Sequence, residues 1–105
     1  VGLKTLGVNT QWRNTSFDNA IAQAKRGILT PVNIAHRGHI SAPRNGHVVC
    51  LAGVSEDGTR LYIHDPYGEL DYINGVSDLT ATGKYWVSKK NFLKRWQGIW
   101  TEFLG

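Results

Sequence analysis

The sequence predicts an α+β domain, an antiparallel sheet of about four to six strands with flanking helices. Three observations predict it. Gly46 to Gly68, GHVVCLAGVSEDGTRLYIHDPYG, reads as a β-hairpin: an apolar run from Val48 to Val54, an alternating run from Arg60 to His64, and an Asp-Gly turn signal between them. Phe17, Ala20, Ile21 and Ala24 fall at helical spacing behind Thr15-Ser16, a capping pair, and Gly27 stops the run. Phe92, Leu93 and Trp96 recur on a second, shorter helix that Ser88 caps.

In chain order, Val1 to Val8 reads as a helix end leading to a strand, and Asn9 to Thr15 is polar apart from Trp12. Ser16 to Arg26 is the first helix, with its apolar face on the sheet. Ile28 to Ile34 follows as a strand, with Pro31 near its beginning, where a missing N–H is tolerated. His36 to Asn45, HRGHISAPRN, reads as a loop, either a plain connection or a ligand contact. After the hairpin, Glu69 to Gly83 is a polar excursion with turns at Asn74-Gly75 and Thr82-Gly83. Lys84 to Val87 resumes as a strand, Lys89 to Gln97 is the short helix, and Gly98 to Gly105 is a last strand or a tail.

The hairpin decides whether His47 and Asp65 meet. A three-residue loop with a type I turn at Glu56-Asp57 and a left-handed Gly58 pairs Ser55 with Thr59 and sets Asp65 opposite Val49. Asp65 then shares a face with His47 at one diagonal step, roughly 7–8 Å between backbones. A two-residue Asp57-Gly58 loop sends Asp65 to the other face. Pro66 ends the second strand abruptly and biases Asp65 toward an extended backbone.

The 105 residues, 41% of them apolar, suffice for a single domain, residues 1 to 105, with one core. No apolar run approaches the ~20 residues of a membrane span. The chain begins at Val1, without a signal-peptide pattern, and is a candidate fragment of a longer parent. The net charge of +4 favours anionic partners in general, but no nucleic-acid motif accompanies it. Lys89, Lys90, Lys94 and Arg95 read as a solvated helix face. The lone cysteine excludes an internal disulfide and a multi-cysteine zinc site. His36, His39, His47 and His64 are not at a familiar ligand spacing, so neither a metal nor another cofactor is expected. His64 is expected to point away from Asp65, and His36 and His39 to be loop or substrate-contact residues.

An imidazole beside a carboxylate is half of a nucleophilic site, because the carboxylate holds the ring in the useful tautomer and stabilises the imidazolium. Cys50, three positions along the strand from His47, is expected on the opposite side as a buried, inert core residue. The residues alone leave His47 and Asp65 open as an ordinary hairpin pair or as such a site.

GHVVCLAG, then LYIHDPYG after a DG turn, then SKKNFLKRW resemble the papain-like cysteine peptidases of the double-glycine-leader, bacteriocin-processing type and their broader relatives, which include peptidoglycan-associated and phage-borne proteins. SFDNAIAQAKRGILTPVNI is similar to the family's helix followed by a glycine and a PV-containing strand. HRGHISAP and DPYGELDYINGV resemble its phage and bacterial lysin subgroup. The resemblance covers roughly Leu3 to Trp96. It implies the sheet portion of a papain-like fold, about the C-terminal two-thirds of the domain, with His47 as catalytic histidine and Asp65 as its orienting partner. It also implies a peptide or peptidoglycan substrate and an extracellular, virion or cell-wall setting. The family's nucleophilic cysteine and the glutamine before it have no counterpart, since no cysteine precedes His47 and Gln11 and Gln23 stand in the wrong context. An N-terminal companion fragment would carry them, and an apolar groove is expected where that helix docks. The alternative is a catalytically inactive binding or structural module relying on the basic C-terminal face and on Tyr67, Tyr72 and Trp86.

Overall fold

Local capping and burial reproduce the first helix in the computed structural model, which describes residues 9–105. Helix α1 spans Phe17–Lys25. The Ser16 hydroxyl accepts the Asp18 N–H, and Gly27 leaves the helix in the left-handed region at φ +82°. The helix buries Phe17, Ala20, Ile21 and Ala24 against the sheet. The expectation for Val1 to Val8 lies outside the described residues.

Strands β1 (Thr10–Arg13), β2 (Thr30–Arg37), β3 (Arg44–Val54) and β4 (Arg60–His64) precede a small separate hairpin of β5 (Glu69–Asp71) and β6 (Val76–Asp78). Strand β7 (Lys84–Ser88), helix α2 (Lys89–Arg95) and strand β8 (Trp96–Phe103) complete the chain. The main sheet has six strands in the order β1-β8-β2-β3-β4-β7, every neighbour antiparallel. The α+β expectation holds. Alternation sends Val32 and Ile34 of β2, Val49 and Leu51 of β3, and Leu61 and Ile63 of β4 into one core with the α1 face and Phe92 of α2. Each such side chain stabilises the fold by about 1.5–3 kcal/mol.

Several boundaries differ from the expectation, each for a physical reason. The β2–β3 ladder continues to Arg37 opposite Arg44, so the loop shrinks to residues 38–43 and His36 lies in a strand. Asn45 permits this by adopting φ +64°, which asparagine tolerates. The excursion from Glu69 to Gly83 holds the β5–β6 hairpin because Leu70 and Tyr72 are buried. Helix α2 ends at Arg95, and the C-terminal stretch is a strand rather than a tail.

The β3–β4 turn keeps the Glu56-Asp57 bend and a left-handed Gly58, whose N–H donates to the Ser55 carbonyl at 2.9 Å. Ser55 pairs with Arg60 instead of Thr59, however, which lengthens the loop by one residue. The Asp57 carboxylate accounts for this: it accepts the Ser55 and Thr59 hydroxyls and the Thr59 N–H, bonds that hold its pKa down at about 2. A bulge at Ala52, between the pairs Leu51–Ile63 and Gly53–Tyr62, absorbs the extra residue. Beyond it Cys50 faces His64, so Asp65 still falls on the His47 face.

The basic quartet does not form one solvated face. Arg95 is 1% exposed. Its guanidinium donates to four carbonyls: Tyr72 through Nε, Ala35 and Arg37 through Nη1, and Gly38 through Nη2. A buried arginine survives there because its planar fork matches four backbone acceptors. No helix among the described residues is long and apolar enough to cross a membrane.

Candidate active site

The site lies where β3 begins and β4 ends. Strand alternation aims His47 toward the core side with Val49 and Leu51, while Val48 and Cys50 point to the other face. His47 Nε2 lies 2.8 Å from Asp65 Oδ1, and Asp65 is 5% exposed. The Tyr67 N–H donates to the same oxygen at 2.9 Å, and the Tyr85 hydroxyl donates to Oδ2 at 2.8 Å. Two donors already engage the carboxyl group, so His47 is placed to present Nε2–H to it, which leaves Nδ1 for another partner.

Backbone geometry fixes Asp65 as firmly as its side-chain bonds do. Its N–H donates to the Gly83 carbonyl at 2.6 Å. Gly83 has φ +79°, and a Cβ there would overlap the Asp65 carbonyl oxygen, so glycine is required for this approach. The Thr82-Gly83 turn of the sequence therefore bears directly on the site.

Behind Asp65 stands a pair of tyrosines that sequence reasoning did not connect to it. The Tyr72 and Tyr85 hydroxyls are 3.0 Å apart. Because Tyr85 gives its proton to Asp65, Tyr72 donates to Tyr85. Burial raises the pKa of both phenols, with the neighbouring carboxylate raising it further, so both remain donors at neutral pH. The Tyr72 carbonyl is itself held by Arg95. Removing the hydroxyl in Tyr85→Phe leaves a buried carboxylate oxygen unpaired, and we expect a loss of about 1–3 kcal/mol in urea unfolding. An unchanged midpoint would mean that the bond contributes nothing.

Two rings stack on the His47 imidazole. His36 stacks on it at 4.7 Å between centroids, Tyr67 at 4.4 Å, and the His36 and Tyr67 rings are 5.6 Å apart. His36 was expected in a loop; it lies instead on β2, buried, and its Nδ1 has no hydrogen-bond partner among the described residues. Burial lowers its pKa below 6.5, helped by Arg37, His47 and Arg95 and opposed by Asp65. The unfolded chain thus binds a proton on this residue more readily than the folded one. Stability contributed by neutral His36 is lost as pH falls below about 6.5 toward its folded-state pKa. His36→Phe should flatten this part of a stability-against-pH curve.

The remaining candidates are dispersed. His39 lies in the 38–43 loop, where its Nδ1 meets the Ser41 hydroxyl, and His64 packs edge-on against Tyr62 on the outer face. Among the described residues no three His, Cys, Asp or Glu side chains gather as a metal site would require. Gln11 is on β1, the far edge of the sheet from β4. Gln23 is a structural residue of α1, with hydrogen bonds to Thr30, Thr101 and Phe103. Of the aromatic residues on which a binding module would rely, Tyr72 is buried, whereas Tyr67 and Trp86 are exposed.

Cys50 corrects another expectation. It is on the face opposite His47, as alternation requires, but it is half-buried there and not in the core. It lines an apolar depression of about 420 Å³ with Leu29, Pro31 and Phe103. Burial raises its pKa, which keeps the thiol protonated. Among the described residues, the arrangement supplies a histidine whose Nδ1 makes no hydrogen bond, a carboxylate engaged by three partners behind it, and no sulfur on the same face.

No curated protein and no solved structure gives a match to this chain. A model of the peptidase C39-like family, by contrast, matches residues 4–102. The matched span includes both helices, strand β3 with His47, and the turn that carries Asp65. The chain belongs to the peptidase C39-like family.

Proposed function

We propose that this chain is the histidine- and aspartate-bearing part, about the C-terminal two-thirds, of a papain-like cysteine peptidase domain, and that the complete domain hydrolyses peptide bonds of peptidoglycan in a phage or bacterial lysin. The observation that carries the reading is the 2.8 Å contact of His47 Nε2 with the Asp65 carboxylate, whose two oxygens also accept the Tyr67 N–H and the Tyr85 hydroxyl. Family membership supports peptidase chemistry. The resemblance of HRGHISAP and DPYGELDYINGV to the lysin subgroup, together with a net charge of +4, supports an anionic cell-wall substrate outside the cell.

The roles follow from the hydrogen bonds. His47 Nδ1 takes the thiol proton of a cysteine, and the resulting imidazolium lowers that cysteine's pKa from about 8.5. The thiolate attacks the carbonyl carbon, and the proton passes from His47 to the leaving amine as the C–N bond breaks. Water, deprotonated by His47, then releases the acyl group and restores the thiol. Asp65 keeps Nε2–H engaged throughout. The cysteine belongs to a companion fragment or a preceding stretch of a longer parent, because Cys50, the single cysteine here, faces away from His47.

Native mass measurement of the assembly, followed by masses of its separated chains, tests this. A cysteine-bearing companion whose alkylation abolishes hydrolysis supports the reading. The chain alone or with copies of itself, binding cell-wall fragments without cleaving them, would replace it with the inactive binding module. That rival is favoured by one observation, the lack of a thiol on the His47 face.

A further inference from the structure

His36 is a buried titratable residue with no part in the proposed proton transfers. His36 and His47 share a face because Ile34 pairs with His47, which puts His36 one diagonal step away. Its ring lies nearly parallel to that of His47, at 23° between planes. A hydrogen bond to Nε2 fixes only one point of the His47 imidazole and leaves the ring able to rock about the line from Cβ to that atom. Such rocking carries Nδ1 away from whatever it must deprotonate. Contact with the ring face prevents it. Tyr67 stacks on His47 as well, but Tyr67 is exposed and held at a turn, whereas His36 is locked in the β2 ladder.

Histidine at this position also carries a cost that a plain packing residue avoids. Its buried Nδ1 is without a partner among the described residues. Imidazolium formation would place a donor there with no acceptor, beside Arg37 on its own strand, His47 on β3 and Arg95 on α2. The one opposing charge, Asp65 at the end of β4, already accepts three hydrogen bonds. The ring is therefore kept neutral, and a neutral neighbour does not repel the imidazolium that forms on His47 during turnover.

We propose that His36 is a positioning residue for His47: a neutral ring packed against the imidazole that holds Nε2–H on Asp65 and fixes the direction of Nδ1. The inference rests on the reading of His47 as the base, but its test is made on this chain without turnover. In nitrogen-15 spectra at pH 7, His47 should show a single Nε2–H tautomer with slowly exchanging N–H, and His36 a neutral pattern. His36→Leu, which removes the flat ring, should introduce the second His47 tautomer and speed N–H exchange roughly tenfold, as a local opening would. His36→Phe, which restores a flat ring and removes the orphaned nitrogen, should recover the wild-type His47 pattern. An unchanged His47 pattern in His36→Leu overturns the proposal, as does a protonated His36 at pH 7. Should the leucine variant not fold, the phenylalanine variant decides: a mixed His47 tautomer in a folded His36→Phe protein overturns the proposal. Failure of the peptidase reading would appear instead as absent hydrolysis in the assembled protein with these spectra unaltered.

Discussion

His47→Ala in the assembled, cysteine-containing peptidase is expected to lower kcat by roughly 10³–10⁴-fold while leaving KM nearly unchanged. The side chain is at once the proton acceptor that generates the thiolate and the donor that releases the amine, so no step of the reaction retains its catalyst. Because His47 is nearly buried opposite Ile34 and contacts Asp65, the substitution also costs stability, so kcat is compared at a temperature where the variant is shown to be folded. Asp65 offers a graded comparison. In Asp65→Asn the amide oxygen can still accept from His47 and Tyr67, but the amide nitrogen cannot accept the Tyr85 hydroxyl. Tyr85 must then turn, and the Tyr72–Tyr85 bond must reverse. Asp65→Ala empties the position altogether. We therefore expect activity to fall from wild type through Asp65→Asn to Asp65→Ala, with His47→Ala lowest. Equal activity in His47→Ala and wild type would remove the histidine from the chemistry.

The order of these effects depends on contacts of two kinds, only one of which was legible in the sequence. The pairing of His47 with Asp65 followed from strand period and turn chemistry, both of which act over a few residues. Even the error in loop length was harmless, because the bulge at Ala52 restored the register before the site was reached. Ser16 and Ser88, as helix caps, were legible for the same reason. What could not be read was anything that depends on the sheet order β1-β8-β2-β3-β4-β7. Tyr72 and Tyr85 lie in different elements, and nothing local announces that their hydroxyls meet behind Asp65. His36 looked like loop because HRGHISAPRN is rich in turn formers, yet the ladder extended to Arg37 and buried it. Cys50 sat in an apolar run, which reads equally as core or as a sheet face that is only half covered. A usable signal did exist for Gly83: a Thr-Gly turn ahead of an alternating strand, close enough to the Asp65-Pro66 strand end to meet it.

Arg95 is where sequence reasoning and structure part most widely, and it carries the second large prediction. In a run of basic residues on a short helix, solvation is the ordinary outcome for each. Helical geometry separates Arg95 from its neighbours by turning it inward beside Phe92, the only other buried residue of α2. There it joins the end of β2, the 38–43 loop and the segment after β5 through four carbonyls. Burial lowers its pKa, yet guanidinium stays protonated at any working pH. Arg95→Leu removes the charge and leaves four carbonyls without this donor, those of Ala35 and Tyr72 buried and those of Arg37 and Gly38 half-buried. We expect a loss of about 3–5 kcal/mol in urea unfolding, a large fraction of the 5–15 kcal/mol typical of a domain. Arg95→Lys should recover less than half of it, because one ammonium cannot reach acceptors spread around a planar fork. The loss should also reach the site: Tyr72 would be freed at its carbonyl while its hydroxyl still supports Tyr85, so the chain of donors ending at Asp65 would loosen. Amide exchange at Ile40, whose N–H donates to the Ile73 carbonyl at 2.9 Å across the same junction, should rise in Arg95→Lys before global unfolding begins. Exchange that rises there only together with the core strands would make Arg95 a contributor to overall stability and not the clamp that joins these loops beside His47.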